Sequence, residues 1–157
     1  MENLRLISAV SSLEVFRMNV TNNHCDLNKK VGFTAGMPSS STYWSSDVMV
    51  FSKVITNIGG GYNSNTGIFT APVAGMYHFF LNLVGYDTKS IDLHVVSNGN
   101  SKVTAMSEAS ASSTYQTGTN MLVVRLEQDD TVWIKRKSGS GYYSDSIPYT
   151  TFSGFLI

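Results

Sequence analysis

The sequence has few charges, one cysteine and no long apolar run, and each shortage excludes a class of protein. Charged residues make up 14% of the 157 residues, and eleven Lys and Arg balance eleven Asp and Glu. The chain therefore lacks the basic surface of a nucleic-acid-binding protein. No stretch approaches the roughly 18 apolar residues of a membrane span, since Asn82 interrupts the longest candidate. We expect no binding to nucleic acid and no insertion into a membrane.

The first thirty residues also lack a recognisable leader. The apolar run LISAV, residues 6–10, is too short for the hydrophobic part of a signal peptide. This indicates either a cytosolic protein or a secreted one whose signal peptide is absent from this chain. The tripeptide NVT makes Asn19 a candidate glycosylation site if the chain enters a secretory pathway. Cys25, the single cysteine, is either a free thiol or a link between subunits.

A break near residue 30 divides the chain into a segment of residues 1–30 and a domain of residues 31–157. Before the break, apolar residues recur at alternating steps of three and four: Leu6, Ala9, Leu13, Phe16 and Val20. This is the spacing of a coiled-coil seam, but two heptads are too few for a helix that is stable alone. The segment is therefore either a short coiled-coil stalk or an extended tether.

After residue 30 the sequence has no helical period and has many short strand-like runs between turn signals. The predicted strands are residues 31–35, 48–54, 67–70, 76–84, 92–97, 102–106, 120–126, 131–137 and 151–157. The dipeptide Asn98-Gly99 predicts a tight hairpin turn. Many short strands without helices favour an all-β antiparallel sandwich, and the long loops favour a jelly roll.

The longest predicted strand is apolar on both faces. One side has the residues Tyr77, Phe79, Leu81 and Leu83, and the other has Met76, His78, Phe80 and Val84 around Asn82. A two-layer sandwich buries only one face of each sheet, so a second apolar face predicts contact with another copy of the protein. We expect Phe79→Asp to disrupt that assembly if the side chain faces a neighbour.

Seven aromatic, asparagine and glycine positions follow a distinctive spacing: Phe51, Asn57, Tyr62, Phe69, Gly75, Tyr77 and Phe79. This spacing resembles the signature of the complement C1q globular domain, in the C1q and tumour necrosis factor superfamily. The last signature position, usually aromatic, is Leu81 here, and we expect the change to alter packing at a subunit contact. Further matches are VGFTAG, LVVRLEQDDTVWIKR and TTFSGFLI, so the resemblance covers about residues 31–157.

The resemblance implies a ten-stranded jelly roll assembled as a homotrimer, extracellular, and used for recognition and not as an enzyme. The chain has no Gly-X-Y repeat, so it is similar to the collagen-free C1q-domain proteins of invertebrates, molluscs especially, which act as secreted lectins. This implies carbohydrate binding and pattern recognition in innate immunity, with glycans or microbial surface polysaccharides as partners. The alternatives are a cerebellin-like or cytokine-like ligand for a cell-surface receptor and an extracellular matrix component.

Sugars are held by stacking on aromatic rings and by hydrogen bonds from amides, carboxylates and guanidinium groups. Three loops combine such groups: Tyr142, Tyr143 and Asp145 in one, with Arg136 and Lys137 at its entry, Tyr86 and Asp87 in another, and Tyr43 and Trp44 in a third. In the alternative reading, Trp44 and Tyr86 cover the ends of the sandwich. Three weak sites on one trimer would gain a factor of about 10²–10⁴ in avidity on a repeating surface.

The sequence contains no constellation that would perform a reaction. The histidines His24, His78 and His94 have no metal-binding spacing, and the last two are expected on strand faces. We therefore predict no catalytic residues.

Several relatives bind calcium on the trimer axis. They bind it through acidic residues just before the strand that here is predicted near Asn120. The nearest matching position has Gln116, and a single amide oxygen per subunit is a weak start for a calcium site. We expect no axial calcium and no cofactor. Asp129 and Asp130 are weak candidates for a cation, and a solvated turn is the simpler interpretation.

Overall fold

The computed structural model describes residues 30–41 and 47–157, together with Glu14. The predicted stalk or tether, the glycosylation candidate Asn19 and the cysteine Cys25 lie outside the described residues. The domain boundary at residue 30 stays a prediction. Among the described residues, no helix combines the length and the apolar character needed to cross a membrane.

The domain consists of ten strands: β1 (Gly32–Gly36), β2 (Lys53–Ile58), β3 (Tyr62–Asn63), β4 (Ile68–Thr70), β5 (Gly75–Tyr86), β6 (Ser90–Ser97), β7 (Asn100–Glu108), β8 (Tyr115–Leu126), β9 (Thr131–Gly139) and β10 (Thr151–Leu156). They form two five-stranded sheets. The first sheet has the order β2-β1-β10-β5-β8 and the second the order β3-β4-β9-β6-β7. All neighbours are antiparallel, and the predicted jelly-roll sandwich is confirmed.

Two predicted strands differ most from the structure, and one strand, β3, has no predicted counterpart. Residues 48–52 are not in a strand, and β2 begins at Lys53, because Met49 instead pairs with the edge of β9 through its N–H and the carbonyl of Ile134. The two-residue strand β3 is too short to leave a pattern in the sequence. β8 begins at Tyr115, before the predicted Asn120, since its first half has polar residues and Gly118 and therefore no apolar alternation.

The core lies between the two sheets and is rich in aromatic rings. Phe33 stacks on Tyr62 with ring centroids 4.6 Å apart and on Phe69 at 5.3 Å, and Phe152 meets Phe33 edge-on at 5.0 Å. The predicted inward side of β5 is confirmed, because Tyr77, Phe79, Leu81 and Leu83 are all buried in this core.

Two expectations about β5 need correction. Phe79 faces the core and is 1% exposed, so it cannot face a neighbouring subunit, and the outward residue beside it is Phe80. Leu81 is also fully buried, and its departure from the usual aromatic residue therefore affects packing within the sandwich and not a subunit contact.

The signature residues before β5 form a small bonded unit that closes one edge of the sandwich. Asn57 donates from Nδ2 to the carbonyl of Tyr62 at 2.8 Å and accepts the Tyr62 N–H at 3.2 Å. The Tyr62 hydroxyl donates to the Phe51 carbonyl at 3.1 Å and accepts its N–H at 3.2 Å. Phe69 packs its buried ring beside them. The spacing of these signature residues in the sequence thus corresponds to hydrogen bonds and ring packing in the folded domain.

The outward surfaces of the two sheets differ in character. On the first sheet, five large apolar side chains of β5, β8 and β10 are 42–58% exposed: Met76, Phe80, Met121, Val123 and Phe155. We call this surface the first outer face. On the second sheet, the outward residues of β6, β7 and β9 include His94, Thr104 and Lys135, with a hydrogen bond of 2.8 Å between His94 Nδ1 and Thr104 Oγ1. We call this the second outer face.

The two ends of the sandwich are also distinct. Gly32 at the start of β1 pairs with Phe155 near the end of β10, so the chain enters and leaves the domain at one end. The other end collects the β5–β6 turn, the β9–β10 loop and the segment after β1. We call it the pocket end.

Candidate functional site

A pocket of about 280 Å³ opens at the pocket end. It is lined by three tyrosines, an acid, a base and two serines: Tyr86, Tyr142, Tyr143, Asp87, Lys89, Ser40 and Ser41. Three separate segments of the chain supply these residues. The mixture of aromatic faces with charged and hydroxyl groups is typical of a site for a polar small molecule.

A strained two-residue turn between β5 and β6 positions Asp87 and Lys89. This turn connects the two sheets, and Asp87 and Thr88 have φ values of 54° and 64°, in the left-handed region that glycine, asparagine and aspartate adopt more readily than threonine. The Lys89 N–H donates to the Tyr86 carbonyl at 3.1 Å and closes the turn. The Asp87 carboxylate accepts the N–H of Ser113 at 3.3 Å. A β-branched residue in this conformation is unusual, and the surrounding contacts hold it there.

The β9–β10 loop is fixed to the sandwich by its backbone. The Tyr143 N–H donates to the Val84 carbonyl at 2.7 Å, and the Tyr142 N–H donates to the Ser41 carbonyl at 3.0 Å. The Thr150 hydroxyl donates to the Tyr143 carbonyl at 2.7 Å. These backbone hydrogen bonds fix the Gly- and Ser-rich connection in place as one wall of the pocket.

A ladder of four tyrosines extends from the pocket along the surface. Tyr86 and Tyr115, partners across β5 and β8, stack with ring centroids 4.4 Å apart. Tyr143 lies 4.9 Å from Tyr115 and 5.6 Å from Tyr86, and Tyr149 follows at 5.3 Å from Tyr143. Such contacts hold each ring by its neighbours, so that the aromatic surface is preorganised for a ligand.

Two tyrosines of the pocket, Tyr142 and Tyr143, remain neutral near physiological pH. Burial raises the pKa of Tyr142 above its ordinary value of 10.0. The pKa of Tyr143 is also raised, chiefly by a hydrogen bond with the Tyr115 side chain and further by burial and by the nearby charges. Both hydroxyls therefore keep their protons and both rings keep the electron-rich faces of neutral phenols.

The structure brings together residues of two of the three predicted loops. Tyr86, Asp87, Tyr142 and Tyr143 line the same pocket. Arg136 lies on β9 opposite Leu93, with its guanidinium 4.0 Å from the Asp47 carboxylate, and does not line the pocket. Asp145 is exposed and caps the N–H of Ser146 at 2.6 Å, also outside the pocket.

The third predicted loop, with Tyr43 and Trp44, lies outside the described residues. Sequence reasoning missed Ser40, Ser41 and Lys89, which line the pocket, and Tyr115 and Tyr149, which extend the ladder. Lys89 could have been found from its position two residues after Asp87 in the same turn. The serines have no comparable signal in the sequence.

The part of the chain that the structure describes contains no group of three or more His, Cys, Asp or Glu side chains that could hold a metal ion. Gln116 lies within β8 opposite Gly85. Asp130 accepts the N–H of Glu127 at 2.8 Å and thereby closes its own turn, while Asp129 has a left-handed φ of 68°. The prediction that calcium is not needed stays a prediction.

The sequence matches a known domain family and several of its members. The family model for the C1q domain matches residues 32–157. Complement C1q tumor necrosis factor-related protein 6 of Mus musculus is 36% identical over 131 residues, which are 81% of this chain and 48% of the relative. Related protein 3 of Homo sapiens is 32% identical over 126 residues, which are 78% of this chain and 50% of the relative. The chain thus spans about half the length of these curated relatives.

Solved structures share the fold at lower identity. The globular domain of the zebrafish complement 1qA protein has a TM-score of 0.67 at 20% identity, and the match covers 82% of this chain and 98% of that domain. Murine APRIL has a TM-score of 0.62 at 17% identity, covering 82% of this chain and all of APRIL. The predicted jelly roll is therefore shared with both, whereas the invertebrate, mollusc-like type stays a prediction.

Proposed function

The chain belongs to the C1q domain family, and from this premise we propose that it is a secreted, extracellular homotrimer that recognises carbohydrate on repeating surfaces by multivalent capture. The single observation that supports a binding function is the convergence of four sequence-predicted ligand residues on one pocket. Aromatic rings, a carboxylate and hydroxyls in one concave site are the groups with which proteins hold sugars. The role is recognition and not catalysis.

The first outer face supports self-association. Phe80 and Met121 are cross-strand partners, and Phe155 lies on the adjacent β10, so the exposed apolar side chains are contiguous. His78 lies among them with its ring 5.2 Å from that of Phe155, and its Nε2 is buried without a hydrogen-bond partner among the described residues. Contiguous exposed apolar surface of this kind marks a protein interface, and we assign it to the trimer contact.

Trimerisation gives the pocket its biological affinity in this proposal. One small site binds a sugar weakly, whereas three sites on one rigid trimer gain a factor of about 10²–10⁴ in avidity when the target repeats. Cyclic symmetry makes the three sites equivalent. The pocket end is also opposite to the end at which the chain enters the domain, so a preceding stalk or tether would not cover it.

Binding of the purified trimer to immobilised microbial polysaccharide, with and without free sugar as competitor, tests this proposal. We expect retention on the polysaccharide that free sugar releases. Retention that no sugar releases would contradict a carbohydrate site. The same experiment with chelator tests the expectation that calcium is not needed.

A second candidate function is a trimeric ligand for a cell-surface receptor. The observation that favours it is the likeness to the C1q tumor necrosis factor-related proteins at 36% and 32% identity. High-affinity binding to a cell-surface protein that survives removal of cell-surface glycans would favour this candidate. A matrix role would instead be indicated by networks larger than the trimer in light scattering.

A further inference from the structure

The pocket contains a pair of opposite charges among its aromatic rings. Asp87 and Lys89 both line it, together with Tyr86, Tyr142 and Tyr143. We propose that the pocket binds a zwitterionic group, an ammonium joined to a phosphate or similar anion, carried as a substituent on a surface polysaccharide. This inference rests on the proposed function, because it names the chemistry that the same site recognises.

The acid and the base are both available to a ligand. Among the described residues, neither Asp87 nor Lys89 belongs to an ion pair. Asp87 is exposed, and its carboxylate accepts one long hydrogen bond, from the Ser113 N–H at 3.3 Å. Lys89 is half-buried and lines the pocket. A ligand with one charge of each sign is the simplest complement to this pair.

The aromatic rings suit the cationic end of such a ligand. An ammonium group is attracted to the face of a tyrosine ring within about 6 Å of its centroid, and the attraction grows when water is excluded. The rings of Tyr86 and Tyr143 lie 5.6 Å apart and are tilted by 54°, so one small cation can lie near both. The Asp87 carboxylate adds a full negative charge at the same site.

The positive charge of Lys89 favours a zwitterionic ligand over a neutral sugar. A neutral pyranose would stack on a tyrosine and donate to Asp87, but it would leave the Lys89 ammonium without an anionic partner. A phosphate or carboxylate supplies that partner through charge-assisted hydrogen bonds. The volume of about 280 Å³ is slightly below the roughly 300–1,000 Å³ of ligand pockets, as expected for one substituent and not for a long oligosaccharide.

Isothermal titration of the intact protein with phosphocholine, tetramethylammonium, inorganic phosphate and glucose tests the proposal. We expect phosphocholine to bind at least tenfold more tightly than any of the other three probes. Asp87→Asn and Lys89→Gln should each weaken phosphocholine binding by roughly tenfold or more. The matched controls are Asp129→Asn, an acid at a left-handed φ in the turn after β8, and Lys102→Gln on β7, and neither should change the affinity.

The outcomes separate this inference from the proposed function. Binding of glucose or other neutral sugars at least as tight as that of phosphocholine, unchanged by Lys89→Gln, would overturn the zwitterion and leave carbohydrate recognition intact. Absence of binding to any probe, together with no retention on polysaccharide, would overturn both.

The source of the zwitterion is tested with two surfaces. We expect binding to polysaccharide that bears phosphocholine and not to phosphatidylcholine vesicles. Equal binding to the vesicles would contradict the polysaccharide assignment and assign the group to a lipid surface.

Discussion

Two surfaces of the domain have properties that folding alone does not require, and they differ in almost every respect. The first outer face is built from strand residues and is apolar, with Phe80 and Met121 at its centre. The pocket is built from turns and loops and combines tyrosines with Asp87 and Lys89. Apolar, strand-built surface suits another protein, whereas a concave polar-aromatic site suits a small ligand. If each surface has the role proposed for it, substitutions in one should leave the function of the other intact.

The largest effect is expected from a charge in the first outer face. Phe80→Glu would place a carboxylate in the subunit contact, so the trimer should dissociate while the monomer stays folded. Loss of multivalency should lower binding to a polysaccharide surface by about 10²–10⁴ and leave the affinity for a free small ligand unchanged. Analytical ultracentrifugation and titration measure the two effects.

Lys135→Glu is the control for that variant, because it places the same side chain at an exposed position of the second outer face. It should leave the trimer intact. Dissociation by Lys135→Glu, or a trimeric Phe80→Glu protein, would show that the wrong face has been assigned to the contact.

The neighbouring residue on β5 should respond differently. Phe79 is 1% exposed and contacts the ring of Phe69 at 5.3 Å. Phe79→Ala should therefore lower the free energy of unfolding by about 3–5 kcal/mol through a core cavity. Phe80→Ala, at a position that is 42% exposed, should lower it far less when unfolding is measured at protein concentrations at which the chain is monomeric. Equal losses of unfolding free energy in Phe79→Ala and Phe80→Ala, measured by urea denaturation, would contradict the assignment of Phe79 to the core and Phe80 to the outer face.

A substitution in the pocket should weaken ligand binding and leave the trimer intact, whereas one in the first outer face should do the reverse. Tyr143→Ala removes one ring of the pocket but keeps the backbone bond to Val84, so we expect roughly tenfold weaker ligand binding with an unchanged trimer. Tyr149→Ala is the matched control, since Tyr149 belongs to the ladder but does not line the pocket. Equal losses of ligand affinity in the two variants would indicate that the ligand binds along the tyrosine ladder and not in the pocket.

The smallest effect is expected from relief of strain in the pocket turn. Thr88→Gly should raise the free energy of unfolding by about 0.5–1 kcal/mol, because glycine adopts the left-handed φ of 64° without penalty. Gly99→Thr at the remote turn, where φ is 79°, should lower it by about 1–2 kcal/mol. Thermal unfolding of both variants measures the difference. A destabilising Thr88→Gly would show that the turn is not strained.

The strands of the core could be predicted from the sequence because burial imposes a period of two on their side chains. The run from Tyr77 to Leu83 and the turn at Asn98-Gly99 are examples, and the structure confirms both. The residues at which strands begin and end could not be predicted as well. The start of β8 at Tyr115 depends on close packing of Gly118 against the Met106 carbonyl, a contact between sheets that leaves no local pattern.

The candidate site was predictable in its residue types and not in its geometry. Tyr86, Asp87, Tyr142 and Tyr143 stand out as aromatic and polar loop residues in the sequence. Their meeting in one pocket depends on the pairing of β5 with β10 and on the bond between Tyr143 and Val84, which are tertiary features. Arg136, predicted on a strand at the entry of the tyrosine loop, does lie on β9, but its guanidinium lies 4.0 Å from the Asp47 carboxylate and does not line the pocket, which its position in the sequence could not show.

The most direct test of recognition through the pocket end is a glycan array that includes phosphocholine-bearing glycans, probed with the intact protein and with the Tyr143→Ala variant, with and without chelator. The account predicts defined hits for the intact protein, insensitive to chelator and lost in the variant. A blank array, or hits that the variant retains, would contradict carbohydrate recognition by this pocket and would favour a receptor or matrix role.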